Sequence, residues 1–526
     1  MHTNKRLIMA IEPLPPGDWL PAIKKILDLN GYNSSNLKSK LLVWKSVNSC
    51  SNGIIYADGA FINRLWLGKK RWALSFINKR IYFHEDRISI DDRPEYLIVK
   101  GNKPKVPPPK KQLEELWNIL NQIKIGMKKY RLSPVEVKEI DYEKSVNRLV
   151  YIGDIAREIP SSGYNSLYKD LGFDYVPIGM KIIICPIGEA SMKISTSFIE
   201  NIKRCMKDRN TFCSIEIMPF DSLKRNIEAL KNRKDTTYKG KCILFILPSK
   251  KVSPDREILK IFDDLEMLNI PFRRAYGDDP LNFSVPNQLP SIITAAGGRP
   301  HRSPLYINGH PIWTIGIDMG HSPHKNFTKL VTTLVDPDGT LKRAWVVRQD
   351  LDESIRSDKL SGMLKMCAKE LFDYEKNPCV VILRDGRFFD KDDIFSSKET
   401  LGENISILEY RKNLNPQIFK LIDNVPSNID NINAVVVPNT NTIFISTVES
   451  YNKNTLTKIA KVTWEKSWNG LELTPPQIGG LLLQSATAPG LGLQPRLLPA
   501  CIYWADGIAS TSETDLRFRG QPIYKL

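Results

Sequence analysis

The 526-residue chain is poor in the residues that build common metal and disulfide scaffolds. It has six histidines and eight cysteines, and no two cysteines form a CxxC pair. This excludes a zinc ribbon or a disulfide framework as the organising principle. Cysteines inside apolar runs, as in Ile182-Ile183-Ile184-Cys185, read as small buried hydrophobes. That usage fits a reducing cytoplasm. No run of about 18 uncharged apolar residues occurs, so no membrane-spanning helix is expected. The start, Met1-His2-Thr3-Asn4-Lys5-Arg6, leads to a short apolar stretch, then Glu12 and three prolines, which is not the layout of a signal peptide. No internal repeat is visible. What is present is 42% hydrophobic and 25% charged, enough to bury several cores.

The net charge is +17, which points to a polyanionic partner. It is unevenly spread. Residues 1–150 hold 27 Lys and Arg against 15 Asp and Glu, residues 151–309 hold 23 against 18, and residues 310–526 hold 25 against 25. A front end that grips phosphates and a back end that keeps its carboxylates for another task fits this division; a solvated basic surface fits it too. In Arg64-Leu65-Trp66-Leu67-Gly68-Lys69-Lys70-Arg71-Trp72, cations alternate with aromatic faces that can stack on bases. The same segment also fits two strands of a half-buried sheet.

Short strands are expected at 53–56, 72–76, 80–83 and 96–99. The stretch 101–111, rich in proline and lysine, reads as an extended linker, and a helix is expected over 111–130. Residues 1–150 thus form a β-rich basic region, and 151–180 a connector. From 181 to 309 strands (182–185, 213–218, 242–247, 272–276) alternate with helices (197–208, 221–232, 254–267). That pattern implies a doubly wound parallel sheet with ligands at the carboxyl ends of its strands. From 310 to 526 the pattern becomes a three-stranded meander (313–318, 330–335, 341–349), a helix (358–374) and a strand (379–385). Further strands are expected at 405–410 and 443–447, and a closing helix near Pro499.

Three antiparallel strands, a helix and a further strand, with acids on the first and fourth strands, follow the order of a ribonuclease H-like fold. Its chemistry gathers carboxylates at one end of the sheet, where two divalent cations clamp the attacking and leaving oxygens of a phosphodiester displacement. Asp318 and Asp385 end the two strands concerned. Each alone also fits a turn or cap residue. His321 and His324 fit a solvated loop after the first strand.

Four fragments together resemble the MID–PIWI half of prokaryotic Argonautes. They are Ile315-Gly316-Ile317-Asp318, the segment Val347–Ile355 containing Glu353, Leu383-Arg384-Asp385-Gly386-Arg387, and the stretch Leu498–Asp506 with its Tyr503-Trp504 pair. The resemblance covers roughly residues 180–526. It implies a MID-like domain at 181–309 that holds a guide 5′ end, followed by an RNase H-like PIWI domain at 310–526. It further implies a catalytic and metal-binding set of Asp318, Glu353, Asp385 and Asp506 holding two Mg²⁺ or Mn²⁺ ions, with Glu353 on a loop. Arg256 and Lys260 match the family's basic helix face for the guide phosphate. Arg273 stands where a glutamine is usual and is the third expected nucleic-acid contact, able to make up by a bidentate contact for Ala295, which stands where a lysine is usual. The Leu526 carboxylate resembles the C-terminal carboxylate that in this family often helps to bind a metal at the guide end.

No segment reads as PAZ, so a compact form is expected. The implied partners are a short single-stranded guide and a complementary target, RNA or DNA, with no membrane. The implied function is guide-directed endonucleolytic cleavage in defence against invading DNA. The alternative is a catalytically silent guide-binding sensor that activates a separately encoded effector protein.

Overall fold

A computed structural model describes residues 5–14, 17–37, 40–49, 55–68, 71–84, 87–89, 107–140, 149–159, 163–231, 240–249, 254–322, 327–350, 355–386, 398–412, 416–423, 425–427, 434–437, 439–446, 459–464, 470–489, 498–510 and 523–525. The chain divides into two compact units. One is Met1–Asp141 with Tyr410–Glu465, the other Tyr142–Glu409 with Lys466–Leu526. Among the described residues no helix is long and apolar enough to cross a membrane.

In the first unit, β1 (Lys5–Glu12) leads through α1 (Trp19–Leu29) to a long hairpin, β2 (Ile55–Gly68) and β3 (Arg71–His84). Then come α2 (Pro109–Gly126) and β4 (Ser133–Glu139). Strand alternation puts Ala60, Ile62, Leu74 and Phe76 on one face of the hairpin. There they pack against Trp19, Ile23 and Leu27 of α1 and Leu116, Leu120 and Ile123 of α2. The hairpin replaces three of the expected short strands. Its ladder runs from Ile55–Phe83 to Trp66–Trp72 because polar residues that read as breaks pair with each other. Arg80 Nε donates to Asp58 Oδ1 at 2.8 Å across the strands. The expected strand 96–99 and most of the expected linker lie outside the described residues. β1 pairs with β3, β4 and Phe419–Ile422, and β4 pairs with Ala434–Val436.

The second unit opens with an antiparallel ribbon, Leu149–Ile152 and Ile155–Glu158, and α3 (Tyr164–Leu171). Four parallel strands follow, β5 (Lys181–Pro186), β6 (Ser214–Ile217), β7 (Lys241–Leu247) and β8 (Phe272–Tyr276), in the order β6-β5-β7-β8. Helices α4 (Glu189–Lys207) and α7 (Leu281–Ala295) cover one face, and α5 (Phe220–Lys231) and α6 (Arg256–Met267) the other. The sheet is doubly wound. The sequence does not signal α7, because Pro286 and Pro290 inside it read as breaks.

The next sheet is built on the meander β9 (His310–Ser322), β10 (Phe327–Val335) and β11 (Leu341–Asp350). Helix α8 (Ser357–Tyr374) then returns the chain so that β12 (Cys379–Asp385) pairs in parallel with β9. Leu360, Met363, Leu364, Cys367 and Leu371 recur at helical spacing and bury against Trp313, Ile315 and Ile317 of β9. After α9 (Pro475–Ser485), α10 (Ala500–Ser510) packs on β9, β10 and β12, and β13 (Ile523–Lys525) lies parallel to β11. This is an RNase H-like domain.

Polar contacts bind these parts of the second unit. The carboxylate of Asp174 accepts from Arg299 Nε at 2.6 Å, Arg302 Nε at 3.2 Å and Gly153 N at 2.9 Å, and Arg299 also pairs with Asp338. The carbonyl of Thr487 accepts from Tyr164 Oη at 2.8 Å, Ser303 Oγ at 2.9 Å and His301 Nε2 at 3.0 Å. Removing Asp174 strands two arginines. Their side chains are 32% and 28% exposed, and water partly compensates them. Asp174→Ala is therefore expected to cost about 2–3 kcal/mol, seen as a lower urea midpoint with an unchanged slope.

Candidate functional site

Strands β9 and β12 pair in parallel from Ile312–Cys379 to Ile317–Arg384. One position further come Asp318 and Asp385, at the same level on neighbouring strands. Strands stand about 4.8 Å apart, and residues in register point to the same face. Asp318 is 6% exposed, and its Oδ1 accepts the N–H of Met319 at 2.7 Å. Asp385 is half-buried.

That face of β9 carries α10. Cys501 of the helix lies against Gly316, and Ala509 lies against Gly320. Asp318 sits between the two glycines on the strand, and half-buried Asp506 sits between the two helical residues. Asp318 and Asp385 are thus level on neighbouring strands, and Asp506 is carried by the helix that packs on this sheet. Glu353 lies outside the described residues, as do Leu526 and His324. Gln349, buried at the end of β11, accepts the N–H of Arg356 at 3.4 Å across the segment that contains Glu353. His321 is exposed on β9, its Nδ1 3.0 Å from Thr328 Oγ1. Among the described residues, no group of three or more His, Cys, Asp or Glu could hold a metal ion.

In the doubly wound domain, Arg256 and Lys260 lie exposed on the first turns of α6, beyond the carboxyl end of β7. The Asp255 side chain caps that helix by accepting the N–H of Ile258 at 2.8 Å. Arg273 is not brought to them. It is buried, donating from Nε to Ser291 Oγ at 2.7 Å and from Nη1 to the Phe272 carbonyl at 2.7 Å. Burial pulls its guanidinium down to about 10. Ala295 ends α7.

The residue that shares the α6 face is Arg274, half-buried, with its Nε donating to Tyr276 Oη at 3.0 Å. Strand alternation in Phe272-Arg273-Arg274-Ala275-Tyr276 carries the signal for this, since Phe272 and Tyr276 pack towards α6 and Ala275 towards α7. At the carboxyl edge, Ser249 Oγ donates to Asp278 Oδ2 at 2.6 Å, a contact with no sequence signature.

No model of a known protein family matches the chain. No curated protein matches it by sequence. Solved structures do match, and they define the class: the chain has the Argonaute fold, with its MID-like and PIWI-like parts. Clostridium butyricum Argonaute, bound to a guide DNA and a 19-mer target DNA, aligns with a TM-score of 0.66 at 12% identity, covering 94% of this chain and 85% of that one. Drosophila Piwi aligns with a TM-score of 0.63 at 10% identity, covering 97% and 88%. Marinitoga piezophila Argonaute, in complex with a 5′ OH guide RNA and target DNA, aligns with a TM-score of 0.62 at 14% identity, covering 93% and 84%. At these identities the likeness establishes the fold.

The placements separate two kinds of arginine. Arg256→Ala and Lys260→Ala are expected to leave stability within about 0.5 kcal/mol while weakening binding of a 5′-phosphorylated oligonucleotide about tenfold each. Arg273→Ala is expected to lower stability by about 2–4 kcal/mol, because it opens a cavity and strands Ser291. Urea melts alongside fluorescence anisotropy check both.

Proposed function

We propose that this chain binds a short single-stranded guide, uses it to select a complementary strand, and hydrolyses one phosphodiester of that strand with two divalent cations, Mg²⁺ or Mn²⁺. The observation that carries the reading is the register of β9 and β12, which sets Asp318 beside Asp385 under the helix bearing Asp506 in a chain of Argonaute fold. The guide part is supported by neighbours whose structures hold guide DNA or guide RNA with target DNA. The net charge of residues 1–150 supports it too.

The donor set fits such ions in kind. Mg²⁺ and Mn²⁺ take hard oxygen ligands, and Asp318, Asp385 and Asp506 supply carboxylates from two strands and a helix. Glu353 would complete the set. When bound, the ions stabilise charge on the attacking and leaving oxygens of an in-line displacement. The chain's own part is positional. The ladder of β9 with β12 holds Asp318 and Asp385 level, and the Met319 N–H orients the Asp318 carboxylate. Hydrolysis of this type leaves a 3′-hydroxyl and a 5′-phosphate. Arg256 and Lys260 would hold the guide 5′ end, with Leu526 and a further ion beside it. Defence against invading DNA and a cytoplasmic setting belong to the same proposal.

One observation favours a second reading. Among the described residues no three candidate ligands group closely enough for a metal ion, as in a guide-binding sensor that signals to a separate effector protein. The two readings part in one experiment. Protein loaded with a synthetic guide receives labelled complementary target with Mn²⁺ or EDTA, beside Asp318→Ala/Asp385→Ala. Cutting at one fixed position, reduced on the order of 10³-fold or more in the double variant, is expected of the nuclease. Guide-dependent target binding with no cutting is expected of the sensor.

A further inference from the structure

We infer that the hairpin-turn end of the first unit's sheet is a stacking site for an unpaired nucleic-acid strand. Trp66 and Trp72 take a base, and Arg64, Lys128, Lys129 and Arg131 take neighbouring phosphates. The inference deepens the guide-and-target reading and rests on it for the class of ligand. Strand registers bring these residues to one rim. Trp66 stands opposite Trp72 across the hairpin, next to its turn. β1 lies beside β3 with Ile11 opposite Leu74, and β4 lies beside β1 with Ser133 opposite Glu12. Across the sheet the turn end therefore runs Trp66, Trp72, the stretch after Glu12, then the stretch before Ser133. That last stretch is the 3₁₀ turn Lys128–Tyr130 followed by Arg131. It lies two strand spacings from Trp72, about 10 Å.

Alternation puts Arg64, Trp66 and Trp72 on the face that, further along, presents Ile62 and Leu74 to α1 and α2. The cover stops short of the turn. Ile62 and Leu74 are fully buried, whereas Trp66 is half-buried, Arg64 is exposed and Trp72 is 41% exposed. The two indole rings stand 4.8 Å apart, tilted by 59°, and present aromatic surface to solvent. Their backbone is held from behind. Buried Lys461 donates to the Trp66 carbonyl, and the Leu14 N–H donates to the Trp72 carbonyl at 3.0 Å. A platform fixed in advance loses little freedom on binding. Charge decides the occupant. Arg64, Lys128, Lys129 and Arg131 are all exposed, while Glu12, the acid that ends β1, is ion-paired with Arg71. Aromatic surface within a cationic rim suits a flat base on a polyanionic chain. A cross-strand tryptophan pair also steadies a hairpin, but that role needs neither the exposure nor the surrounding cations.

The test uses the full chain and a labelled oligothymidylate with a 5′-hydroxyl, which offers bases and backbone but no terminal phosphate for Arg256 and Lys260. Fluorescence anisotropy compares wild type with Trp72→Ala, Trp72→Phe and Arg64→Ala/Arg131→Ala, and thermal melting reports folding. Trp72→Ala is expected to weaken binding about tenfold, and Trp72→Phe to keep most of it. The double arginine variant is expected to flatten the slope of log affinity against log salt by about 1.4, or about 0.7 for each cation. A duplex of oligothymidylate with oligoadenylate, whose bases are already stacked, is expected to lose nothing with Trp72→Ala. An oligothymidylate carrying 5-iodouracil is expected to photocrosslink to Trp66 or Trp72. Equal binding by wild type and Trp72→Ala, an equal loss on the duplex, or a crosslink that maps to neither tryptophan overturns the inference alone. So does a wild type that binds a 5′-phosphorylated guide but not this probe. A wild type that binds neither overturns the guide reading with it. Should Trp72→Ala not fold, the crosslink and the arginine variant decide.

Discussion

Strand β9 is covered on both faces, and that constraint governs the second unit. One face presents Trp313, Ile315 and Ile317 to α8. The other lies so close to a helix backbone that glycine is required at two positions. A strand sandwiched in this way has no solvent-facing side along its middle. Its acid, Asp318, lies within the covered length, 6% exposed and opposite Val331 of β10, whereas Asp385 ends β12. A carboxylate buried in this way is kept only where it is hydrogen-bonded, as Asp318 is by the Met319 N–H.

The doubly wound domain shows the same rule with the opposite sign. Its cations Arg256 and Lys260 stand in water on an outer helix, whereas Arg273, buried on the edge strand β8, is held by hydrogen bonds to Ser291 and a backbone carbonyl. Adjacent arginines on β8 face opposite ways, so the chemistry available to a ligand differs between neighbours in sequence. Elsewhere in this unit, buried polar groups serve cohesion. The Thr487 carbonyl and the Asp174 carboxylate each gather several donors from segments far apart in the chain.

Much of this was legible in the sequence. Apolar runs separated by helical patterns located every strand of the parallel sheet and of the meander to within a few residues, since burial imposes the period. Asp318 and Asp385 could be read because their spacing equals the register offset of β9 and β12. Helix α7 could not, because interior prolines mimic a break. The long hairpin could not, because cross-strand partners such as Asp58 and Arg80 make polar residues compatible with a continuous ladder. Which of Arg273 and Arg274 faces α6 was open to reading by alternation alone. The glycine contacts were not, since they depend on a helix nearly two hundred positions later in the chain.

The first unit is assembled from two stretches of chain, with the second unit's sequence running between them. During synthesis β1 and β4 emerge long before Phe419–Ile422 and Ala434–Val436, the strands that complete them. At about 5–20 residues per second, the wait lasts on the order of tens of seconds. For that time the ribosome-bound chain exposes unpaired strand edges, which chaperones would have to shield.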